Sequence, residues 1–220
     1  MFDDTNRAKE EDDDLLRLNK TVRPLEPNNL NDINSVRAAM EKVGDYKGVS
    51  PTFYERSFMD KPLEQSIKSY QKKNGLEIDG ILNPKGETEK SINKAFRSLK
   101  EKWDTAKGMY DNYKEMKRLR WDKADDFFHC KANFEAARKS EESEKFAKFL
   151  GDKKEDFDYY KNQIFRGLSA SEAMEDKKHD LEVNAYGLEQ GRKERLSPAG
   201  RTAKQVCKEK YNKNRLLNDY

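Results

Sequence analysis

The sequence has few hydrophobic residues, few turn-forming residues and no long apolar run. Only 34% of its 220 residues are hydrophobic, whereas 40% are charged, so any core must be thin. No uninterrupted apolar stretch approaches the roughly 20 residues of a membrane-spanning helix, and we predict no such span. Apolar strand runs are lacking, and 11 glycines and 6 prolines supply few turns, so the composition favours an all-α fold.

Cysteine and histidine are scarce as well. Cys130 and Cys207 do not make a disulfide framework; they could pair, but their spacing does not require it. Together with His129 and His179 they exhaust the supply of His and Cys ligands, and none lies in a CxxC or HExxH pattern. We therefore predict no metal site and no cofactor. The aromatic neighbours of His129 in the sequence favour a structural, hydrogen-bonded histidine.

Motifs typical of enzymes are missing too. A Ser-His-Asp or Cys-His arrangement could use only the two histidines, and His179 lies in a charged stretch with no nucleophile beside it. No glycine-rich phosphate loop is present, and among 42 acidic residues a plausible carboxylate pair carries no information. We predict that the protein is not an enzyme.

The charges of the chain nearly cancel. There are 45 Lys and Arg against 42 Asp and Glu, which gives a net charge of +3. This balance is typical of helices whose solvated faces mix both signs. A nucleic-acid-binding protein is usually more basic, so we do not predict nucleic acid as a partner, although the C-terminal end is locally basic. The first residues lack the basic and apolar regions of a secretory signal.

Hydrophobic periodicity predicts helices along most of the chain. The first begins with Asn31 or Asp32 as its N-cap and ends before Gly44. In chain order, the further predictions are a helix from Lys61 to Asn74, a short β-bridge near Ile78 and Ile81, helices over about 88–119, 122–138, 142–166 and 170–187, and a candidate basic helix from Pro198. The long helix has no strong stop signal inside it, so it should belong to both halves of the chain.

These elements divide the chain into three parts. Residues 1–26 form an acidic N-terminal segment that buries too little to be ordered unless it docks on a partner. Residues 27–99 form a small three-helix module, and residues 100–220 form a helical bundle with a wrapping C-terminal tail. The long helix joins the two, in place of a flexible linker.

Residues 70–80 carry a recognisable signature. The run Tyr70-Gln-Lys-Lys-Asn-Gly-Leu-Glu-Ile-Asp-Gly80 resembles the aromatic-Gln-x-x-x-Gly-Leu-x-x-Asp-Gly signature of the small peptidoglycan-binding domain that accompanies many cell-wall hydrolases. The resemblance covers about 30–99 and implies a small three-helix fold. The residues that define its turns are Gly75, Gly80, Gly86 and Thr88.

The same resemblance implies peptidoglycan as a candidate ligand. The residues that we expect to contact it are Phe53, Tyr54, Gln71 and Asp79, because a sugar needs flat apolar faces beside hydrogen-bonding groups. The sequence departs from the family at Arg37, where Gln is common, and in a long insertion over residues 45 to about 60. The other open interpretation is that the two aromatic residues cover the module's own core.

The second half of the chain resembles serum amyloid A. Two runs agree with that family in order and spacing: Tyr110-Asp-Asn-Tyr-Lys-Glu-Met116 and Asp125-Asp-Phe-Phe-His-Cys-Lys-Ala-Asn-Phe-Glu-Ala-Ala137. Asn184-Ala-Tyr-Gly187 is similar to the family's Asn-x-Trp-Gly. The resemblance covers about 103–211 and implies a four-helix bundle pinned by its C-terminal tail. The vertebrate family comprises secreted apolipoproteins that bind lipid and self-associate; we do not carry these activities over to a chain without a signal peptide.

The pairing of the two resemblances favours a non-catalytic structural or envelope-interaction protein. The expected setting is a bacteriophage virion or a similar delivered assembly, in which the chain binds protein partners and engages peptidoglycan. The alternative is a cytoplasmic adaptor or chaperone that never meets the cell wall, and lipid binding is a third interpretation. The expected location is therefore a virion or the bacterial cytoplasm.

Overall fold

The computed structural model describes residues 15–44, 46–47, 56–119 and 125–211. Within these ranges it has seven helices: α1 Leu30–Val43, α2 Lys61–Lys73, α3 Glu87–Leu119, α4 Asp125–Lys139, α5 Glu141–Arg166, α6 Ala170–Leu196 and α7 Ala203–Tyr211. The prediction of an all-α fold is confirmed. No helix among the described residues combines the length and hydrophobicity that a bilayer-spanning segment needs.

The long helix α3 covers 33 residues, close to its predicted bounds of 88–119. By contrast, the predicted N-cap of α1 is wrong. Asn29 caps this helix, because its side chain accepts the backbone N–H groups of Asn31 and Asp32. The Asp32 carboxylate instead accepts the backbone N–H groups of Asn19 and Lys20, at 3.1 and 2.9 Å.

The chain divides into two compact units, Met1–Leu99 and Lys100–Tyr220. The core of the first unit is built by apolar side chains of α1, α2 and α3, among them Ile33, Met40, Leu63, Ile67 and Ile92. Leu16, Leu18 and Val22 are buried in the same core. Our expectation that this N-terminal stretch buries too little to be ordered is therefore wrong for its described residues.

One isolated β-bridge closes this core. Val22 and Leu82 exchange two backbone hydrogen bonds of 2.9 Å, and both side chains are fully buried. The bridge was predicted near Ile78 and Ile81; it lies at Leu82, next to Ile81, whereas Ile78 takes no part in it and is exposed. The N-terminal stretch supplies the partner strand that the prediction did not consider.

In the second unit, α4, α5 and α6 pack together, with α7 against α4. Gly187, predicted to end a helix, instead lies inside α6, and that prediction is wrong. A Cβ atom at Gly187 would collide with the carbonyl oxygen of Cys130, and one at Gly191 with that of Phe134. These glycines let α6 approach the backbone of α4 closely.

The C-terminal segment is tied to the bundle at two points. Cys130 on α4 and Cys207 on α7 form a disulfide, which resolves the pairing that their spacing left open. The buried Glu194 carboxylate accepts the backbone N–H groups of Ala199, Gly200 and Arg201, which holds the loop between α6 and α7. The terminal helix begins at Ala203, later than the predicted Pro198.

Candidate functional site

The signature of residues 70–80 forms a hydrogen-bonded turn around Gln71. Its side chain is 1% exposed; Nε2 donates to the Asp79 carboxylate at 2.8 Å, and Oε1 accepts the Gly80 N–H at 2.9 Å. Asp79 also accepts the N–H of Ile81 at 2.8 Å, and Gln71 reaches the buried Thr88 hydroxyl at 3.2 Å. The polar side-chain atoms of Gln71 and Asp79 named here thus form hydrogen bonds within the turn.

The other residues predicted for this module are placed as follows. Gly75 and Gly80 have φ of 67° and 73°, and a Cβ atom at Gly86 would lie 2.9 Å from the carbonyl oxygen of Asn83. Phe53 and Tyr54 lie outside the described residues. The candidate peptidoglycan residues are therefore not brought together as a surface by the described part of the chain.

Arg37, the departure from the peptidoglycan-binding pattern, is fully buried. It donates to the carbonyl oxygens of Arg56 and Phe58, each at 3.0 Å, and to the Asn34 side chain at 2.7 Å. Its Nε lies 3.8 Å from the Asp60 carboxylate. The arginine thereby anchors the end of the insertion to α1, which is a structural role.

A polar cluster lies inside the second unit, where α4, α5 and α6 meet. His129, Glu155 and Asp180, one from each helix, place their nitrogen and oxygen atoms within 4.8 Å of one another. Glu155 is only 1% exposed, and its Oε1 lies 3.8 Å from His129 Nδ1. The other ring nitrogen, Nε2, lies 3.4 Å from the Asp125 carboxylate. We call His129, Glu155 and Asp180 the inner cluster.

Burial shifts the acid–base properties of the inner cluster. Burial, together with the neighbouring Glu155 carboxylate, raises the pKa of Asp180 to about 7. Burial opposes the charged form of His129, but the hydrogen bond to Asp125 and the nearby acids outweigh it and raise the pKa of the imidazole. Lys154 lies 3.1 Å from Glu155 and 3.0 Å from Asp158, so it is shared between two carboxylates.

A cavity of about 530 Å³ opens beside the inner cluster. One wall is apolar and aromatic and comes largely from α3: Met109, Tyr110, Tyr113 and Met116. Two asparagines in the wall, Asn112 and Asn133, each have a buried Oδ1 with no hydrogen-bond partner. Their amide nitrogens are already committed, Asn112 to Glu135 at 2.9 Å and Asn133 to Asn184 at 2.7 Å, which fixes the orientation of both amides.

A second feature of this unit is an exposed apolar stripe along α5. We define the α5 stripe as Phe149, Phe157, Tyr160 and Ile164, whose exposures run from 54% to 73%. At 3.6 residues per turn these positions fall within roughly a quarter of the helix circumference. The half-buried Phe146 stacks on Phe149, with ring centroids 6.3 Å apart, and continues the stripe toward the start of the helix.

Comparison with known proteins decides the family. The family model for serum amyloid A protein matches residues 96–205, half of the chain. The chain belongs to the serum amyloid A family. The serum amyloid A resemblance drawn from the sequence is thereby confirmed, and both the inner cluster and the α5 stripe lie within the matched residues.

Two cattle proteins agree with this membership. The cattle serum amyloid A protein is 27% identical over 100 residues, which cover 46% of this chain and 77% of that protein. The cattle serum amyloid A-3 protein is 30% identical over 102 residues, with 46% and 78% covered. A putative uncharacterized protein of Escherichia coli, YlbH, is 39% identical over 92 residues, but this is only 38% of its length. No solved structure matches the chain significantly.

Proposed function

We propose that this serum amyloid A family member is a non-catalytic interaction protein whose second unit binds a protein partner through the α5 stripe. The exposure of Phe149, Phe157, Tyr160 and Ile164 on one face of one helix carries the proposal. Contiguous exposed apolar surface of this kind marks interaction sites, and aromatic residues are enriched at the centres of protein interfaces.

The stripe can supply useful binding energy. Burial of one large apolar side chain contributes about 1.5–3 kcal/mol, so two of them contribute roughly 4 kcal/mol, or about a thousandfold in affinity. The double variant Phe157→Asp/Ile164→Asp should therefore lose its partner. Leu196→Asp is the matched control, because Leu196 is 75% exposed at the end of α6 and lies outside the stripe.

The test is co-expression of the tagged chain with the proteins encoded by the neighbouring genes, followed by affinity purification. A partner that is retained by the parent and by Leu196→Asp, and lost by the double variant, supports the proposal. Light scattering after size-exclusion chromatography identifies a second copy of the chain as the partner, and liposome flotation identifies lipid. If the double variant keeps the partner, the stripe is not the binding surface.

The setting of the interaction is proposed from the sequence. The resemblance of residues 30–99 to the peptidoglycan-binding domain supports an envelope or virion component, and a cytoplasmic adaptor or chaperone is the alternative. Pull-down on purified sacculi separates them. If Phe53 and Tyr54 contact the wall, Tyr54→Ala loses retention with an unchanged melting temperature. Equal retention of the parent and an unrelated helical protein of similar charge would remove wall binding altogether.

A further inference from the structure

The two histidines of the chain both lie beside the same carboxylate. His129 and Glu155 share the inner cluster with Asp180, and His179 and Asp126 form a second group with it. In each group the three ligand atoms lie within 4.8 Å of one another. The sequence gives no motif for this arrangement, because the residues come from three different helices.

The geometry points to a binding site for one divalent transition-metal ion, such as Zn²⁺, with His129, Glu155 and Asp180 as its ligands. Imidazole nitrogen and carboxylate oxygen are both ligands that such ions take in proteins. Ligands at about 2.0–2.1 Å from a tetrahedral zinc lie roughly 3.3 Å apart. The 3.8 Å between His129 Nδ1 and Glu155 Oε1 needs only a small side-chain adjustment to reach that spacing.

The surroundings of His129 match those of a metal ligand. Its Nδ1 faces Glu155, whereas its Nε2 faces the Asp125 carboxylate at 3.4 Å. A metal-binding histidine typically donates its second ring N–H to a carboxylate, which fixes the tautomer and the ring orientation. Asp125 is therefore a positioning residue, one helical turn before the ligand that it orients.

The two carboxylates of the inner cluster favour positive charge beside them. An oxygen of Asp180 lies within 4.8 Å of one of the fully buried Glu155, and two carboxylates so close to each other repel unless positive charge lies beside them. Lys154 supplies only part of this charge, because its side chain is 42% exposed and is divided between Glu155 and Asp158. Lys154 contacts the same Oε1 atom of Glu155 that faces His129, so a bound ion would replace Lys154 there and Lys154 would keep its contact with Asp158.

The cavity gives an independent reason to expect a ligand. Three protein donors leave a coordination position open, and the inner cluster lines the cavity together with Asn112 and Asn133. The buried Oδ1 atoms of these asparagines have no partner, so they can accept hydrogen bonds from metal-bound water. The same cavity thus contains both the inner cluster and acceptors that the protein leaves unsatisfied.

The inner cluster suits an ion better than the second group does. Only 11% of the His129 side chain is exposed, against 56% of His179. His179 Nε2 is also already bonded to Asp126 at 3.0 Å, and Asp126 is itself partly exposed. His179→Gln is therefore a matched control that removes the other histidine of the chain without touching the proposed ligands.

The test is calorimetric titration of the full chain with Zn²⁺, after treatment with EDTA, in neutral buffer. We expect one ion per chain. Asp180→Asn keeps the volume of the side chain and removes the repulsion between the carboxylates, so the variant should fold. It should lose Zn²⁺ affinity by more than about 100-fold, because loss of a direct ligand exceeds the roughly 10–100-fold typical of residues that only contact the ligands. His129→Gln should lose a similar amount, Asp125→Asn about 10–100-fold, and His179→Gln none.

Other results would contradict the proposed metal site. If the parent chain binds no Zn²⁺, the inner cluster is a network of ion pairs without a metal and the metal proposal is wrong. If Asp180→Asn binds as the parent does, the ion occupies another place, and if only His179→Gln abolishes binding, the second group is the site. Phe157→Asp/Ile164→Asp should still bind Zn²⁺, so this outcome is independent of the partner-binding proposal.

Discussion

The packing of α6 on α4 makes a sharp prediction about Gly191. A Cβ atom at this position would meet the carbonyl oxygen of Phe134 and lie 3.0 Å from the Cβ atom of Ala137. Both belong to parts of α4 that cannot rotate away, so Gly191→Ala can fit only if the helices separate. Neighbouring contacts along α4, including that of Gly187 with Cys130, would loosen with it.

The magnitude follows from two opposing effects. Alanine stabilises a helix interior by about 1 kcal/mol relative to glycine. Overpacking costs about 1–3 kcal/mol, and a collision with backbone belongs at the upper end of that range. The net expectation is a loss of about 1–2 kcal/mol in the free energy of unfolding, or roughly 5–10 °C in melting temperature.

Gly108→Ala is the matched control for this experiment. Gly108 lies in α3, is exposed, and has nothing within 4 Å of an added Cβ atom. The same substitution there should raise stability by up to about 1 kcal/mol, because only the helix preference changes. Urea denaturation followed by circular dichroism measures both variants. If Gly191→Ala is as stable as Gly108→Ala, the close approach of α6 to α4 is not as described.

Three further predictions concern other parts of the chain. Gly80→Val should cost the first unit about 1–3 kcal/mol, because φ is 73° there and a β-branched residue is strained; an unchanged thermal melt would contradict the turn. Loss of the Cys130–Cys207 disulfide in the double Ser variant should cost up to about 4 kcal/mol relative to the oxidised parent, and the reduced parent should melt at the same temperature as the variant. The hydrogen bonds from Ser169 lower the pKa of Glu172. The Glu172 carboxylate therefore stabilises the folded state fully above its ordinary pKa of 4.5, and this stabilisation is lost as the pH falls through the folded-state pKa. In Glu172→Gln that component of the acid denaturation curve should disappear, and an identical pH dependence would count against the capping box.

The helices could be predicted from the sequence because the signals for them are local. The apolar positions of α3 recur at steps of three and four without a break, and the structure gives Glu87–Leu119 for a predicted span of about 88–119. The end of α6 could not be predicted in this way. A glycine such as Gly187 looks the same in a sequence whether it ends a helix or admits a neighbouring backbone, and only the packing partner decides.

Long-range partners account for the other differences. The acidic run before residue 15 dominates the composition of the N-terminal segment, but Leu16, Leu18 and Val22 pack in a core that is assembled from residues far along the chain. The bridge between Val22 and Leu82 depends on the same tertiary contact. Sequence periodicity carries no information about which distant segment completes a sheet-like pair.

The candidate metal site was missed for a related reason. A search for metal-binding motifs needs ligands at short, regular spacing, whereas His129, Glu155 and Asp180 lie on three helices and meet only after these pack. Among so many acidic residues, no single one stands out. Only the structure shows that each of the chain's two histidines lies near Asp180.

The apolar core of the second unit is thin, and this bears on the roles of its disulfide and its proposed metal site. Its helices are joined not only by apolar contacts but also by buried polar residues, among them Asn133, Asn184 and Glu155. A disulfide and a bound metal ion can each add stability to a domain whose apolar core is thin. In this unit the disulfide joins α4 to α7, and the proposed ion would join α4, α5 and α6. Because Cys130 directly follows His129, both cross-links hold the same turn of α4, and their contributions to stability should therefore not add independently.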